Sequence, residues 1–406
     1  MIYLGGCMIK VKSKEKCCGC AACANKCPKA AIKMIADDEG FLYPYVNTNV
    51  CVNCGLCEKA CPILKLNEVH NDVREMYEVQ CNDGDALKKS ASGGFMEIIA
   101  PYIIKRNGYI CGAAYDKNNK VTHIIVDDRE NVSKLSGSKY VQSEIGDCYK
   151  KIGQLLKEKK LVCFSGTPCQ VAGLREYLGF NYPNLILVEV LCAGVPSPKL
   201  WDGYLKYQEK KYKSKAQNIN FRNKTYGYQC STMMITFENG KIYSQSGRVD
   251  PMMKLFVSGI AKRPSCYNCS FKNDERLSDF TIFDGWSAGK LAGIKDNDKG
   301  FTAVAIHTQK GKRIFETLND MKYYCVDYEM AKKSDGKMFD KQPDICPKRN
   351  EFYAYLNSHD IGTAVKYFMP VTKMDLVAER IKPFLYKLGV IKMIKRMRQK
   401  IEKIGG

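Results

Sequence analysis

Two short runs of the sequence each carry four cysteines at the same spacing. The runs start at Cys17 and Cys51, and both read C-x2-C-x2-C-x3-C followed directly by proline. Three cysteines at this spacing can wrap one 4Fe–4S cube, and the proline helps to direct the fourth cysteine towards the cube of the other run. We therefore expect two cubes, with the ligands Cys17, Cys20, Cys23 and Cys61 in one and Cys51, Cys54, Cys57 and Cys27 in the other.

Zinc and disulfides are the alternative uses of cysteines at this density. Zinc sites use pairs of C-x2-C, so the third cysteine of each run would have no role. Disulfide frameworks are typical of small secreted chains, whereas this chain has 406 residues and we expect no secretion signal. The 21 cysteines instead indicate a reducing cytoplasm and suit an anaerobe, and Cys18 is expected to be a packed bystander.

Four further cysteines stand where neighbouring strands would bring them together. Cys169 begins a predicted helix directly after a buried strand, and Cys192 follows the next strand. Adjacent strands lie about 5 Å apart, so the two thiols can meet above the sheet edge, where a C-x2-C loop could join them. We predict a third 4Fe–4S cube held by Cys169, Cys192, Cys266 and Cys269, with zinc or unligated thiols as the alternatives.

The elements that position this third set follow an α/β pattern. The stretches "LVCFSG" at 161–166 and "LILVEVL" at 185–191 are short apolar runs typical of buried strands. The segment between them is typical of a helix that ends at a glycine, so the three together predict one βαβ unit in a parallel sheet. Ligands of such sheets bind beyond the carboxyl ends of the strands, which is where Cys169 and Cys192 stand.

The formal charge of +21 indicates attraction to anionic partners. Candidates are an anionic membrane surface, a phosphorylated cofactor and an acidic redox protein, whereas no nucleic-acid-binding motif is present.

Between Lys382 and Lys403 the sequence has eight basic residues and one acid, with apolar residues at three- or four-residue steps. This pattern predicts a basic amphipathic helix that either lies on an anionic membrane or docks on its own domain. No apolar run of 18 residues occurs, so no membrane-spanning helix is expected.

Six stretches of the sequence resemble a known protein family. The resemblance is to the beta subunit of coenzyme F420-reducing hydrogenases and dehydrogenases, preceded by a bacterial-type two-cluster ferredoxin domain. It implies a flavin, usually FAD, that passes electrons between iron–sulfur clusters and a small molecule that accepts or donates hydride. The matching stretches are "SASGGF", "GSKYVQS", "FSGTPCQVAGL", "LCAGVPSP", "FRNKTYG" and "RPSCYNCSFKNDERLSDFTIFDGW".

The resemblance also implies which residues contact the flavin. Glycines let the backbone approach phosphates, and a helix that starts after Gly94 would direct its positive end at the pyrophosphate, although ordinary turns are the alternative for each glycine. Arg222 and Lys224 are candidates for polar contacts with flavin or substrate, and Lys139 and Asp284 are candidate catalytic residues. By similarity the flavin is lined by Ser92, Gly93, Gly94, Ser138, Lys139, Tyr140, Gly166, Thr167 and Pro168.

The sequence departs from the family pattern at two places. Many members have histidine where this chain has Ala193, and their Gly-Asp-aromatic-Trp-Gly pattern is replaced here by Phe283-Asp284-Gly285-Trp286-Ser287. We therefore expect the substrate side of the flavin to differ from that of other family members, and coenzyme F420 itself need not be the partner. Similar bacterial chains resemble members found with cell-surface polysaccharide synthesis, so a role there is a further expectation. No G-x-G-x-x-G occurs, and "GWSAGKL" is too short for a P-loop.

The fold class expected from all this is α+β with α/β. It combines an N-terminal dicluster ferredoxin-like domain, a mixed α/β flavin-binding region with a parallel βαβ unit, and a helical C-terminal tail. The predicted domains are the ferredoxin-type domain at 1–66, the N-terminal flavin-binding region of the beta subunit at 75–150, the C-terminal domain of the beta subunit at 151–340 and a helical basic tail at 341–406.

The function that the sequence favours is that of a cytoplasmic iron–sulfur flavoprotein oxidoreductase, with peripheral membrane contact through the basic helix as an addition. Clusters carry single electrons, so a flavin is needed to convert them into a hydride for an unidentified small molecule. The main alternative is an electron-transfer subunit that feeds a partner oxidoreductase and has no substrate of its own. A cluster-containing nucleic-acid-binding protein is a weaker alternative that rests on charge alone.

Overall fold

The structure is a computed structural model that describes residues 8–65, 71–391 and 393. The strands are β1 (Ile32–Ala36), β2 (Leu42–Val46), β3 (Glu75–Cys81), β4 (Tyr109–Tyr115), β5 (Val121–Val126), β6 (Val162–Gly166), β7 (Leu185–Val190), β8 (Ala216–Asn223), β9 (Thr232–Phe237), β10 (Ile242–Ser246), β11 (Phe280–Asp284), β12 (Thr302–Ile306) and β13 (Met321–Val326). The helices are α1 (Ala22–Lys26), α2 (Leu56–Lys59), α3 (Gly84–Lys89), α4 (Phe95–Ile104), α5 (Arg129–Val132), α6 (Cys148–Lys157), α7 (Pro168–Leu178), α8 (Pro198–Tyr212), α9 (Pro251–Ser258), α10 (Ala288–Leu291), α11 (Gln309–Glu316), α12 (Tyr328–Ser334), α13 (Arg349–Tyr355), α14 (Ile361–Phe368) and α15 (Lys373–Lys387).

The N-terminal module is a hairpin and two short helices. Strands β1 and β2 pair antiparallel, and the turn between them uses Gly40 at a φ of +87°, a value that favours glycine. Helices α1 and α2 each lie within a cysteine run and contact one another. The small core of this module includes Ile9 and Ile32 beside the thiols of Cys23 and Cys57. The predicted ferredoxin-like region at the N-terminal side is confirmed.

The larger part of the protein is built on an eight-stranded mixed sheet. Its strand order is β13-β3-β12-β11-β7-β6-β4-β5, in which β4, β6, β7 and β11 run parallel and the strands on either side pair antiparallel. The predicted mixed α/β class is confirmed. The predicted domain boundary at 150/151 falls inside this sheet, because β3, β4 and β5 precede it and the other strands follow it.

Strand β6 shows why the central strands are apolar throughout. Val162 and Phe164 face α6 and α7, whereas Cys163 between them faces the core that contains α4. All three side chains are fully buried, so neither sheet face needs polar residues. Helix α7 then begins with a capping box between Thr167 and Gln170 and ends where Gly179 adopts a φ of +66°. Strand, helix and parallel strand thus follow one another, and the carboxyl ends of β6 and β7 lie at one edge.

A second core connects the predicted tail to the rest of the molecule. The antiparallel sheet β10-β9-β8 packs with α8 and α9, and Phe352, Ile361 and Val365 of α13 and α14 are buried in the same cluster. Helix α15 has no buried residue. The predicted amphipathic helix Lys382–Lys403 lies within the described residues only up to 391 and at 393. None of the described helices is long and apolar enough to cross a membrane.

Candidate functional site

One predicted set of cluster ligands lines a cavity in the N-terminal module. The cavity is partly open to solvent, and its lining includes Cys27, Cys51, Cys54 and Cys57. These are the four thiols that the sequence assigned to one cube, three from one run and one from the other. The donor set therefore fits a 4Fe–4S cube.

The second predicted set of the module also converges. Burial, followed by the neighbouring thiols of Cys17 and Cys61, raises the pKa of the Cys23 thiol to about 12. Burial also raises the pKa of Cys20, and the charge of Cys23 acts in the same direction. Thiols that disfavour one another's ionisation lie close together, and positive iron would reverse this penalty. The set fits a second cube.

The third set gathers at the carboxyl edge of the large sheet. Gly166 of β6 pairs with Glu189 of β7, and Cys169 and Cys192 each stand three residues beyond this pair. Burial raises the pKa of Cys192, and the nearby Cys169 raises it further. The thiols of the C-x2-C loop join them, because Cys169 and Cys192 add to burial in raising the pKa of Cys266 and, to about 12, that of Cys269.

Buried positive charge surrounds this third set. Burial lowers the pKa values of Lys262 and Lys272, while the thiols of Cys192 and its neighbours act in the opposite direction. Lys272 Nζ donates to the carbonyl oxygen of Cys192 at 2.9 Å. Cations in a buried place need anions nearby, and a cube with four thiolates carries negative charge. The surroundings therefore fit a cluster as well as the thiols do.

Arg263, which lies between the first and third thiol sets, is a further buried cation that indicates a negatively charged group nearby. Its side chain is 1% exposed and donates to the carbonyl oxygens of Cys17 and Leu42 and to Gln142 Oε1, at 2.8 to 3.0 Å. Within residues 8–65, 71–391 and 393, no carboxylate forms an ion pair with it. A buried guanidinium without a carboxylate is costly, unless another anion lies near. Cys169 is within its electrostatic range.

A single metal ion does not fit these thiols as they are placed. Four thiolates around one zinc ion would lie about 3.8 Å apart, as follows from the Zn–S distance and tetrahedral geometry. In the part of the chain that the structure describes, no three His, Cys, Asp or Glu side chains are grouped so that they could hold one ion. A cube of four irons needs its ligands further apart, so the thiol sets stay candidates for cubes.

A cluster of polar side chains, called the Arg222–Asp284 pocket below, lies at the end of β11 on the same sheet edge. Arg222 Nη1 donates to Asp284 Oδ2 at 2.6 Å and to the Tyr140 hydroxyl at 3.2 Å. The Tyr228 hydroxyl donates to Asp284 Oδ1 at 3.0 Å, and its ring stacks on Trp286 at 4.4 Å. Burial opposes the charge of Arg222, but Tyr140 and Asp284 outweigh it and raise the pKa of the guanidinium.

This pocket has hydrogen-bonding capacity left for a ligand. Arg222 Nη2 is buried and has no hydrogen-bond partner among the described residues. The Arg222 guanidinium also lies 4.4 Å from the centre of the Trp286 ring. A fixed cation beside two stacked aromatic rings suits a planar, anionic molecule. The residues present therefore fit a flavin-type ring or its phosphate.

The segment Ser92–Gly94 lies beside the pocket and is held by it. Lys224 Nζ donates to the carbonyl oxygen of Ser92 at 2.5 Å, and Ser92 Oγ bonds Thr302 Oγ1 at 2.7 Å. A Cβ on Gly93 would lie 2.0 Å from the carbonyl oxygen of Val79. Gly93 is thus required for packing of the protein's own backbone. Contact of this segment with a flavin phosphate stays a prediction.

The remaining predicted flavin residues are divided between two places. Tyr140 lies in the Arg222 pocket, whereas Thr167 at the start of α7 contacts the third thiol set through Cys169 Sγ at 3.2 Å. The Lys139 amino group binds carbonyl oxygens of its own loop, with Ser136 the nearest at 2.9 Å. Burial lowers the pKa of Lys139 to about 7. The structure thus brings together Tyr140, Arg222, Lys224 and Asp284, with Ser92 beside them. Lys139 and Ser138 lie in the loop that contains Ser136, and Gly166–Pro168 lie at the third thiol set.

Glu78 is a residue of this region that the sequence analysis missed. Its side chain is fully buried, and neither carboxyl oxygen has a hydrogen-bond partner within the described ranges. Burial, with a smaller contribution from Asp335, raises the pKa of Glu78 to about 8, so the carboxyl is protonated at neutral pH. A Cβ on Gly285 would lie 2.0 Å from Glu78 Oε2, which explains the glycine after Asp284. The sequence feature that could have indicated this residue is a glutamate inside the mostly buried strand "EMYEVQC".

Comparison with curated proteins identifies two relatives from methanogens. The coenzyme F420-dependent sulfite reductase of Methanocaldococcus jannaschii is 23% identical over 354 residues, which are 85% of this chain and 53% of that protein. A subunit of the F(420)H(2) dehydrogenase of Methanosarcina mazei is 22% identical over 347 residues, which are 82% of this chain and 90% of that relative. The chain thus spans about half the length of the first relative.

A solved structure with a similar chain is the F420-reducing [NiFe] hydrogenase complex from Methanosarcina barkeri. The match has a TM-score of 0.41 at 16% identity and covers 74% of this chain and 93% of that one. Family models match two segments. Residues 16–63 match the 4Fe-4S dicluster domain, and residues 159–331 match the C terminus of the coenzyme F420 hydrogenase/dehydrogenase beta subunit. Residues 159–331 of the chain are therefore similar to the C terminus of the coenzyme F420 hydrogenase/dehydrogenase beta subunit, and they follow a segment similar to the 4Fe-4S dicluster domain.

Proposed function

We propose that this protein is an iron–sulfur oxidoreductase that passes electrons between three cubes and a flavin-type ring in the Arg222–Asp284 pocket. The observation that carries the proposal is the shared sheet edge. Ile282 of β11 pairs with Val190 of β7, and Asp284 and Cys192 each stand two residues beyond this pair. The third thiol set and the polar pocket are therefore neighbours, as electron transfer between their occupants requires.

The pocket residues would bind and orient the ring. A bound flavin supplies the exchange between single electrons and a hydride that iron–sulfur clusters lack. Arg222 offers a fixed positive charge held by Asp284, and its free Nη2 can bind an anionic oxygen. Trp286 and Tyr228 provide an aromatic face, and burial, followed by the charge of Arg222, lowers the pKa of Lys224 to about 7. Lys224 can therefore hold or release a proton near neutral pH.

FAD and coenzyme F420 have different roles in this proposal. FAD is the expected resident ring, and coenzyme F420 is the first candidate for the small molecule that exchanges hydride with it, because the names of both methanogen relatives contain it. Ala193 and the sequence Phe283–Ser287 depart from the family pattern on the substrate side. Nicotinamide carriers are therefore tested beside coenzyme F420, and a role in polysaccharide synthesis stays a prediction.

Asp284→Asn tests the pocket. The amide keeps the shape of the side chain but removes the charge that holds Arg222, so we expect kcat/KM for the hydride carrier to fall roughly 100-fold. The measurement is anaerobic reduction of oxidised coenzyme F420, or of NAD, with reduced methyl viologen as the electron donor. Asp202→Asn is the matched control, because Asp202 forms an exposed ion pair with Lys206 at 2.7 Å. Equal rates for Asp284→Asn and the wild type would show that the pocket is elsewhere.

The alternative function is that of an electron-transfer subunit without its own substrate. It is favoured by the name of the Methanosarcina mazei relative, which is a subunit of a dehydrogenase. In that case electrons pass from the clusters to a redox partner protein. The wild-type chain would then contain the clusters, yet neither reduced coenzyme F420 nor NADH would reduce them without the partner.

Membrane contact through α15 is a further part of the proposal. Exposed apolar side chains recur every three or four residues along this helix and just beyond it. Met374 is 82% exposed and Phe384 is 64% exposed. The opposite side of the helix contacts the rest of the protein, since the Glu379 carboxylate accepts a hydrogen bond from the backbone N–H of Ser246 at 2.8 Å. An apolar stripe with many lysines nearby suits a surface of anionic lipid. The protein would then lie at the inner face of the cytoplasmic membrane.

The variant Phe384→Ser with Leu388→Ser tests this contact. Loss of two apolar side chains should lower the binding constant for phosphatidylglycerol-containing vesicles, measured by co-sedimentation, about 100-fold or more, since each buried side chain contributes about 1.5 to 3 kcal/mol. Ile345→Ser, which changes an exposed apolar residue elsewhere, should leave binding unchanged. Equal sedimentation with neutral phosphatidylcholine vesicles, or none with either lipid, would contradict membrane docking through charge.

A further inference from the structure

The carboxyl group of Glu78 lies under a turn that carries two residues of the Arg222–Asp284 pocket. A Cβ on Gly285 would lie 2.0 Å from Glu78 Oε2, so the carboxyl fills the space that a larger residue at 285 would need. Gly285 connects Asp284 to Trp286, and both of these contact the guanidinium of Arg222. A movement of the Glu78 carboxyl or of Gly285 would therefore change the pocket.

The register of the large sheet places Glu78 on an apolar face. Glu78 of β3 pairs with Ala303 of β12, which in turn pairs with Phe283 of β11. Residues that pair across neighbouring strands point to the same face, and Ala303 and Phe283 belong to an apolar core with Phe339. Glu78 is 0% exposed, and among the described residues neither of its carboxyl oxygens has a hydrogen-bond partner. A carboxyl in such a place is stable only without a charge.

The one charge that acts on Glu78 from α12 is negative. Burial, and after it the negative charge of Asp335, raises the pKa of Glu78 to about 8. Asp335 follows α12, and its carboxylate accepts from Ser287 N at 2.7 Å and from Ser287 Oγ at 2.8 Å. It is thus held on the same turn that Glu78 supports. An anionic Glu78 would be repelled by this neighbour.

No positive charge compensates Glu78 from the elements that pack on this face. In the part of the chain that the structure describes, no cation forms an ion pair with Glu78. Lys332 of α12 pairs with two other carboxylates, and Lys290 of α10 is exposed. The phenols of Tyr324 on β13 and Tyr328 on α12 lie on this face and cannot supply positive charge.

We propose that Glu78 is a positioning residue that holds the turn at Gly285 in place only while its carboxyl is uncharged, and so sets an upper pH limit for the reaction in the Arg222–Asp284 pocket. The proposal deepens the proposed function, because it concerns the same pocket. Once the carboxyl releases its proton to solvent, the anion has no partner, so either it moves towards water or Gly285 moves away from it. Either movement displaces Asp284 and Trp286, which flank the glycine.

The first measurement compares the pH profiles of Glu78→Gln and the wild type in the reduction of coenzyme F420, or of NAD, by reduced methyl viologen. The ratio of kcat/KM for the variant to that for the wild type should be constant up to about pH 7 and rise about tenfold by about pH 9, one unit above the pKa of about 8. Titration of Lys224 or of the carrier affects both proteins and cancels in this ratio. Glu75→Gln is the matched control, because Glu75 is on the same strand but pairs with Lys312, and its ratio should not change with pH.

The second measurement is thermal unfolding of the same anaerobic holoproteins. A carboxyl whose pKa is higher in the folded state than in the unfolded state makes the protein less stable as the pH rises between the two values. Glu78→Gln should therefore unfold at a higher temperature than the wild type, and the difference should grow from about pH 5 to about pH 8. Glu78→Met is also uncharged and suits the apolar face, so it provides the same comparison if the glutamine variant does not fold.

Three results would count against this role. A constant ratio of kcat/KM between about pH 6 and about pH 9 would show that Glu78 does not control the pocket, even if the unfolding temperatures differ. A difference in unfolding temperature that does not change with pH would show that Glu78 does not titrate in this range. If the wild type reduces neither carrier at any pH, the proposed function itself fails and the role of Glu78 fails with it, whatever the unfolding temperatures are.

Discussion

Cys192→Ala is expected to remove about four of about twelve irons and to disconnect the ferredoxin module from the Asp284 pocket. The thiol of Cys192 is one of four grouped beyond β6 and β7, and without it one iron of the cube would lack its cysteine ligand. The two ferredoxin cubes have their own ligands and should stay. We expect reduction of the hydride carrier by reduced viologen to fall on the order of 100-fold or more, since loss of even an outer partner of a metal ligand costs about 10- to 100-fold.

Cys163→Ala is the matched control for this variant. Cys163 is a fully buried thiol on β6, the strand that leads to Cys169, and it faces an apolar core. Its loss should leave the iron content and the viologen rate near those of the wild type. If Cys192→Ala keeps all its iron, or if Cys163→Ala loses as much, the third centre is not formed by the four thiols named here.

Arg263→Ala is expected to destabilise the protein by about 3 kcal/mol or more. The buried guanidinium donates to three acceptors from different parts of the chain, and each would lose a charged hydrogen bond. It also lies 4.2 Å from the centre of the Tyr43 ring and would neutralise negative charge of the clusters. The measurement is guanidinium unfolding of the anaerobic holoprotein, followed by cluster absorbance and by fluorescence.

Two further variants define what Arg263 contributes. Arg263→Lys should recover only part of the stability, because an ammonium on a flexible stem cannot serve three acceptors in the plane of a guanidinium. Arg313→Ala changes an exposed arginine of α11 and should alter the unfolding free energy by less than about 0.5 kcal/mol. The role of Arg263 would be refuted by an unfolding free energy for Arg263→Ala within that same margin.

Local sequence pattern was enough for the elements that are buried on both faces. The runs "LVCFSG" and "LILVEVL" contain β6 and β7, because continuous apolar residues bounded by turn residues suit a strand covered by helices. The cysteine spacing was also sufficient for the cavity lined by Cys27, Cys51, Cys54 and Cys57, since the spacing itself encodes how the chain wraps a cube.

Contacts between residues far apart in the chain could not be predicted from local sequence pattern. Arg222 and Asp284 are 62 residues apart and meet only because β8 and β11 bring them together. Glu78 lies under Gly285, where burial raises its pKa, because of the sheet register, and register cannot be inferred from local sequence periodicity.

The most direct test of the account is to purify the protein without oxygen and to quantify iron, acid-labile sulfide and flavin per chain. Three cubes and one resident ring predict about twelve irons, about twelve sulfides and one flavin. Eight irons would leave only the ferredoxin pair, and eight irons without flavin would contradict the claim that clusters and ring meet at one edge of the large sheet.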